Sequence, residues 1–155
     1  MTVRKAEEKD IPRIAELLLQ VAAVHADGRP DLFKKGARKY TDEELSEILR
    51  DESRPVFVAE KDGFVQGYAF CVDVTHRNDN ILTPVRTLYV DDICVDESAR
   101  GQGVGKTIYA YVRDWAKEQG YYNLTLNVWS CNPSAMKFYL AMGLVPQKVG
   151  METVL

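Results

Sequence analysis

The alternation of apolar and polar positions divides the chain into short elements of two kinds. Ile14, Leu17, Leu18 and Val21 recur at helical spacing. With Asp10 as a cap and Pro12 in the first turn, they predict a helix to about Val24. Thr41 and Glu44 form a capping box ahead of Leu45, Ile48 and Leu49, which predicts a second helix. Between the two, His25 to Lys39 reads as a long polar loop, with Gly28-Arg29-Pro30-Asp31 and Gly36 as breakers and Phe33 in its middle. Loops of that length are often functional. Val3 to Ala6 reads as a first strand and Val56 to Ala59 as a second. Lys61-Asp62-Gly63 is its turn, and Phe64 to Val74 is the returning strand of an antiparallel hairpin.

After a polar loop through Asn80, Arg86 to Val95 is apolar on both faces except at Asp91 and Asp92, which predicts an interior strand. Val104, Ile108, Val112 and Trp115 give a helix from Val104 to Glu118, ended by Gly120. Leu124 to Trp129 reads as a fifth strand. Asn132 and Pro133 fit the cap and first turn of a short helix reaching Ala141 and stopped by Gly143. Val145 to Leu155 reads as a final strand pair. The order β-α-α-β-β-β-α-β-α-β-β, without a repeat or linker, predicts a single α/β domain on a mixed sheet.

Composition narrows the functions. At 155 residues, 46% hydrophobic and 28% charged, the chain buries about 70% of its unfolded surface and needs no staple. Lysine plus arginine number 20 against 23 aspartate plus glutamate, so nucleic acid and anionic membranes are not expected partners. No signal peptide and no apolar run of spanning length stands in the chain, so a cytoplasmic location is expected. Cys71, Cys94 and Cys131 read as reduced thiols, and with only His25 and His76 no metal-ligand pattern forms.

The segment Arg100-Gly101-Gln102-Gly103-Val104-Gly105-Lys106 joins a strand to a helix, where glycines let backbone N–H groups converge on an anion. A nucleotide-triphosphate loop needs glycine where Arg100 stands, and a dinucleotide fingerprint needs it where Lys106 stands, so neither pattern fits. What remains is Arg-x-x-Gly-x-Gly, and about thirty residues on comes Asn132-Pro133-Ser134-Ala135-Met136-Lys137-Phe138-Tyr139-Leu140-Ala141-Met142-Gly143. Together these resemble the two signatures of the GNAT superfamily of N-acetyltransferases, and the element order matches that fold from end to end. Leu144 departs from the aromatic residue common after that glycine.

The resemblance implies a GNAT-type fold: a mostly antiparallel central sheet flanked by about four helices. It implies acetyl-CoA as co-substrate, held by the loop Arg100 to Lys106, by backbone groups at Ile93-Cys94-Val95, and by Asn132 and Ala135. Ala135 and Tyr139 share a helix face, with Met136 and Leu140 on the neighbouring face available for core packing. A phenol stays protonated at neutral pH, which makes Tyr139 the candidate donor to the departing thiolate.

Asp91 and Asp92 are consecutive on a strand and are expected to point to opposite faces. The stretch Leu88-Tyr89-Val90-Asp91-Asp92-Ile93 resembles the diamine acetyltransferase branch, which carries a Glu-Asp pair and uses the Glu as base. Asp91 matches that Glu but is one methylene shorter, so direct proton abstraction or a water relay both stay open. Asp92 and Phe33 are the expected substrate contacts, a small cationic amine the expected acceptor, and a homodimer the expected assembly. A protein lysine or N-terminus as acceptor, or a non-catalytic acyl-CoA-binding domain, are the competing readings.

Overall fold

A computed structural model describes all 155 residues. Its sheet has five strands, β1 (Thr2–Lys5), β2 (Val56–Lys61), β3 (Phe64–Thr75), β4 (Arg86–Val95) and β5 (Asn123–Leu126), side by side in that order. The first four pair antiparallel, and β5 lies parallel to β4. The β2–β3 hairpin turns at Asp62 and Gly63, both with positive φ, the backbone handedness that matches the twist of adjacent strands. A parallel neighbour needs a crossover. Helix α3 (Val104–Glu118) supplies it between β4 and β5.

The helices cover both faces. α1 (Ile11–Gly28) and α2 (Asp42–Arg50) lie on one side, where Ile14, Leu17, Leu18, Leu45, Val58, Tyr68 and Phe70 form a core. α3 closes the other side, with Ile108 and Val112 against Phe57, Leu88 and Val90. The expected capping box of α2 is present, Thr41 accepting from Glu44 N–H while the Glu44 carboxylate accepts from Thr41 N–H. Gly67 permits a close approach. A Cβ there would stand 2.7 Å from the Cys94 carbonyl oxygen and 2.8 Å from the Ile108 side chain. A fourth helix, α4 (Pro133–Ala141), follows β5.

The feature that makes a site is a split between β4 and β5. β3 pairs with β4 along its whole length, from Thr75↔Arg86 to Gly67↔Val95. β5 pairs only from Thr87↔Asn123 to Val90↔Leu126. Beyond Val90 the side of β4 that faced β5 has no strand partner, so backbone polar groups between Asp91 and Val95 open onto a gap.

Four expectations need correction. α1 runs to Gly28, not Val24, and absorbs His25; Gly28 suits its place, because a Cβ there would meet Cys131 Sγ at 2.8 Å. β5 stops at Leu126, not Trp129, and the Trp129 ring turns to the edge of Phe33 instead. No final strand pair forms over 145–155. Val145, Val149 and Met151 are 80%, 76% and 89% exposed, and a strand that finds neither a ladder nor an apolar face to cover has nothing to hold it. Met136 and Leu140 are exposed and pack no core.

Candidate active site

The glycine loop is a backbone device. Gly101 and Gly103 both hold positive φ, 76° and 78°, which an L side chain enters only at a cost of about 1–2 kcal/mol. That turn lets Gly103 cap α3 with no side chain of its own, so the first N–H groups of the helix point outward without intrahelical partners. They bring the positive end of the helix dipole with them. A groove of about 380 Å³ opens there, lined by Val95, Ala99, Arg100, Gly101, Gly103, Val104, Gly105, Lys106, Phe138 and Met142. Gly105 keeps its floor low, since a Cβ would come within 3.3 Å of the Phe138 ring. Free amides, two cations and an apolar wall suit a diphosphate with an aliphatic arm, so the residues fit coenzyme A.

The loop is pinned from below. Asp96, buried at the end of β4, accepts from Ser98 N–H and hydroxyl at 2.8 and 2.6 Å and is paired with Arg13 of α1. Its hydrogen bonds with Ser98, with Arg13 adding to them, hold its carboxyl well below the usual carboxylate range. The expected cofactor contacts then divide. Arg100, Gly101, Gly103, Val104, Gly105, Lys106 and Val95 line the groove. Gln102 donates to the Ser98 carbonyl and shapes the turn. Ile93 packs against the α3 core. Cys94 buries its side chain toward α1, where its thiol donates to the Leu17 carbonyl, so only its backbone can face the gap. Asn132 caps α4 by accepting from Ala135 N–H at 3.2 Å.

The acid pair lies on β4 itself, upstream of the loop. Phe70 opposes Asp92 and Cys71 opposes Val90, so Asp91 is the extra residue of a β-bulge. Strict alternation of faces therefore fails here, and the expectation that Asp91 and Asp92 point oppositely is corrected. Residues directly opposite share a face, which places Asp92 with Phe70 and Cys94 with Tyr68 on the α1–α2 side. Asp91 joins them. Its carboxylate accepts from the Tyr40 hydroxyl at 2.9 Å, and the Tyr40 ring lies 5.5 Å from that of Phe70.

The two acids have different surroundings. Asp91 also accepts from Lys39 Nζ at 2.7 Å, forming an ion pair. Asp92 has no cation in contact and accepts from the Tyr68 hydroxyl at 2.6 Å. Burial pushes the Asp92 carboxyl up to about 6, against the opposing effects of the Tyr68 hydrogen bond and of Lys39. Tyr139, half-buried on α4, has its hydroxyl held above its ordinary value by burial, with the Asp92 charge adding to it.

Phe33 stands between His25 at 5.1 Å and Trp129 at 5.2 Å ring to ring. Burial, with Lys39 nearby, holds His25 below the ordinary histidine range. Arg29 pairs with Asp31 in the same loop and with Glu152 of the C-terminal tail. Sequence reasoning missed Lys39, Tyr40 and Tyr68 around the acids, His25 and Trp129 around Phe33, and Phe138 and Met142 in the groove. Only the strand register could have pointed to Tyr68, because it faces Cys94 across the β3–β4 ladder, two pairs from Asp92 and on the same face.

Known proteins resemble this one at several levels. The chain is 33% identical over 66 residues to glucosamine 6-phosphate N-acetyltransferase 1 of Oryza sativa, covering 43% of this chain and 38% of the rice protein. It is 40% identical over 58 residues to thialysine N-epsilon-acetyltransferase of Bos taurus, covering 37% and 34%. The chain thus matches well under half the length of these curated relatives. A crystal structure of a mutant BH1408 protein from Bacillus halodurans superposes with a TM-score of 0.95 at 27% identity, over 100% of this chain and 99% of that one. The sequence profile described as "Acetyltransferase (GNAT) family" matches residues 19–144. With its split sheet and its glycine cradle, this chain belongs to the GNAT family of acetyltransferases.

Proposed function

We propose that the protein is an acetyl-CoA-dependent N-acetyltransferase that moves acetyl to the primary amine of a small, cationic molecule by direct transfer in a ternary complex. The observation that carries this reading is the gap beyond Val90, with two carboxylates of unlike surroundings where it opens and an anion cradle where β4 ends. The rice and bovine relatives are both named for transfer to nitrogen. Direct transfer is supported by the thiols. Burial pushes Cys94 and Cys71 each up to about 12, where neither supplies the thiolate that a covalent relay needs.

Acetyl-CoA supplies the activated acetyl group. The amides at the start of α3, with Arg100 and Lys106, hold its diphosphate, and the open edge of β4 offers backbone N–H and C=O to its arm. Asp92 takes a proton from the attacking amine: a carboxylate whose conjugate acid titrates near 6 is ionised at neutral pH yet a stronger base than an ordinary aspartate. Asp91, paired with Lys39, attracts the ammonium form of the acceptor. This exchanges the roles that the family resemblance implies for the two acids. Tyr139 remains protonated and gives its proton to the departing sulfur. Phe33, between His25 and Trp129, forms an apolar wall for the acceptor's carbon chain.

The protein functions as a homodimer in the cytoplasm in this reading. Support for the first comes from the tail, whose Val145, Val149, Met151 and Val154 are at least three-quarters exposed. Support for the second comes from three free cysteines. The test is a panel of amines with free-thiol detection, alongside thermal unfolding. Acetyl-CoA at a hundred times its dissociation constant stabilises the fold by about 2.7 kcal/mol and raises Tm by several degrees. A folded protein whose melting curve ignores acetyl-CoA, and which releases no thiol with any amine, contradicts the reading.

A further inference from the structure

Lys39 is the one cation in contact with the acid pair. Its Nζ stands 2.7 Å from Asp91 Oδ2, the same oxygen that accepts the Tyr40 hydroxyl. It is carried by the segment between α1 and α2, its side chain is 48% exposed, and Asp91 is 18% exposed. Its charge is felt at Asp92 and at His25 as well. A lysine side chain ends in a primary ammonium on a four-carbon stem, the same group in the same reach that a diamine or lysine-like acceptor presents.

From this we infer that Lys39 is a built-in occupant of the acceptor's ammonium seat, which a cationic substrate enters by exchanging with it at Asp91. The inference rests on the reading of the acid pair as the acceptor site. Exchange explains why Asp91, only 18% exposed, can sit withdrawn from water without an unpaired charge while the seat awaits substrate, and why the displaced Nζ has water to go to. It also makes Lys39 a specificity residue. A cation replaces the pair it breaks, whereas a neutral amine offers Asp91 nothing for the lost lysine. Because the Lys39–Asp91 pair is partly exposed, its strength lies near the upper end of exposed pairs. Removing the competitor should then strengthen cation binding about fivefold, or ~1 kcal/mol.

Two measurements test this on the full chain. In the first, exposed amines are labelled by reductive methylation, with Lys61 as internal reference, in the presence of N,N,N′,N′-tetramethyl-1,4-diaminobutane, a dication that is not itself acetylated. Labelling at Lys39 should rise severalfold with this dication and stay level with neutral N,N-dimethylaniline. In the second, at a pH well above the Asp92 range so that the base is ionised with or without Lys39, Lys39→Gln should lower the KM for 1,4-diaminobutane about fivefold with kcat within about twofold. A KM that rises instead makes Lys39 a direct contact to the acceptor, and labelling that ignores the dication leaves it a loop anchor; either result overturns the inference. A purely structural role would lower Tm without dividing KM from kcat. The labelling requires no turnover, so failure of the seat is distinguishable from failure of the enzyme assignment, which would appear as no thiol release from the wild-type chain.

Discussion

The glycine loop and the acid pair flank the same gap and are built by opposite means. The cradle comes mostly from one run of sequence, Val95 to Lys106, and in the proposed function it binds through backbone amides freed by positive φ at two glycines. The proposed acceptor side is assembled from the α1–α2 segment, β3, β4, the residues after β5, and α4, and in that reading it acts through side chains: Lys39, Tyr40, Tyr68, Asp91, Asp92, Trp129 and Tyr139. A backbone site depends on glycine at a few positions and little on most of its other side chains, and in this reading it recognises one chemical feature, the diphosphate. A side-chain site can be retuned by any one of its residues, which is what an enzyme family with many acceptors requires.

Substitutions on the two sides should therefore fail differently. Tyr139→Phe keeps the ring and removes the proton donor, so kcat should fall about a hundredfold while acetyl-CoA affinity stays unchanged. Turnover that survives would leave Tyr139 as packing between Phe138 and the sheet. Gly103→Ala should act in the reverse sense and more weakly. A Cβ at Gly103 meets nothing within 4 Å, so the only cost is backbone strain at φ 78°, which should raise the KM for acetyl-CoA up to about tenfold and leave kcat alone. Titration of each substrate at saturation of the other reads both.

The same contrast decides what the sequence revealed. The loop was legible because its chemistry is local: glycines, a strand before them and an amphipathic helix after them are all visible along the chain. Asn132 and Tyr139 were legible for the same reason, both on one short helix with a cap and a proline to mark it. Asp91 and Asp92 stood out as acids in an apolar strand, but their faces did not, because a bulge is a property of pairing between Phe70-Cys71 and Val90 to Asp92. Nothing along the chain singles out Tyr68 or Tyr40, and Lys39 reads as loop polarity; only tertiary packing sets them on the acids. The tail misled because Val145 to Leu155 has the composition of a strand and no partner in the monomer.

The claim that Asp92, not Asp91, takes the proton is tested most directly by the pH dependence of kcat/KM in the wild type, Asp92→Asn and Asp91→Asn. Asp92 holds a carboxyl raised to about 6, so the wild-type rate should fall as pH drops through that value. The linked stability runs the other way. A carboxyl raised in the folded state binds its proton more tightly there, so its contribution is full below the unfolded value near 4 and is lost as pH rises through about 6. Asp92→Asn should abolish the acid limb of the rate profile and remain the more stable protein at neutral pH, whereas Asp91→Asn should keep the limb and raise the acceptor KM. A limb that persists in Asp92→Asn and disappears in Asp91→Asn would contradict the account.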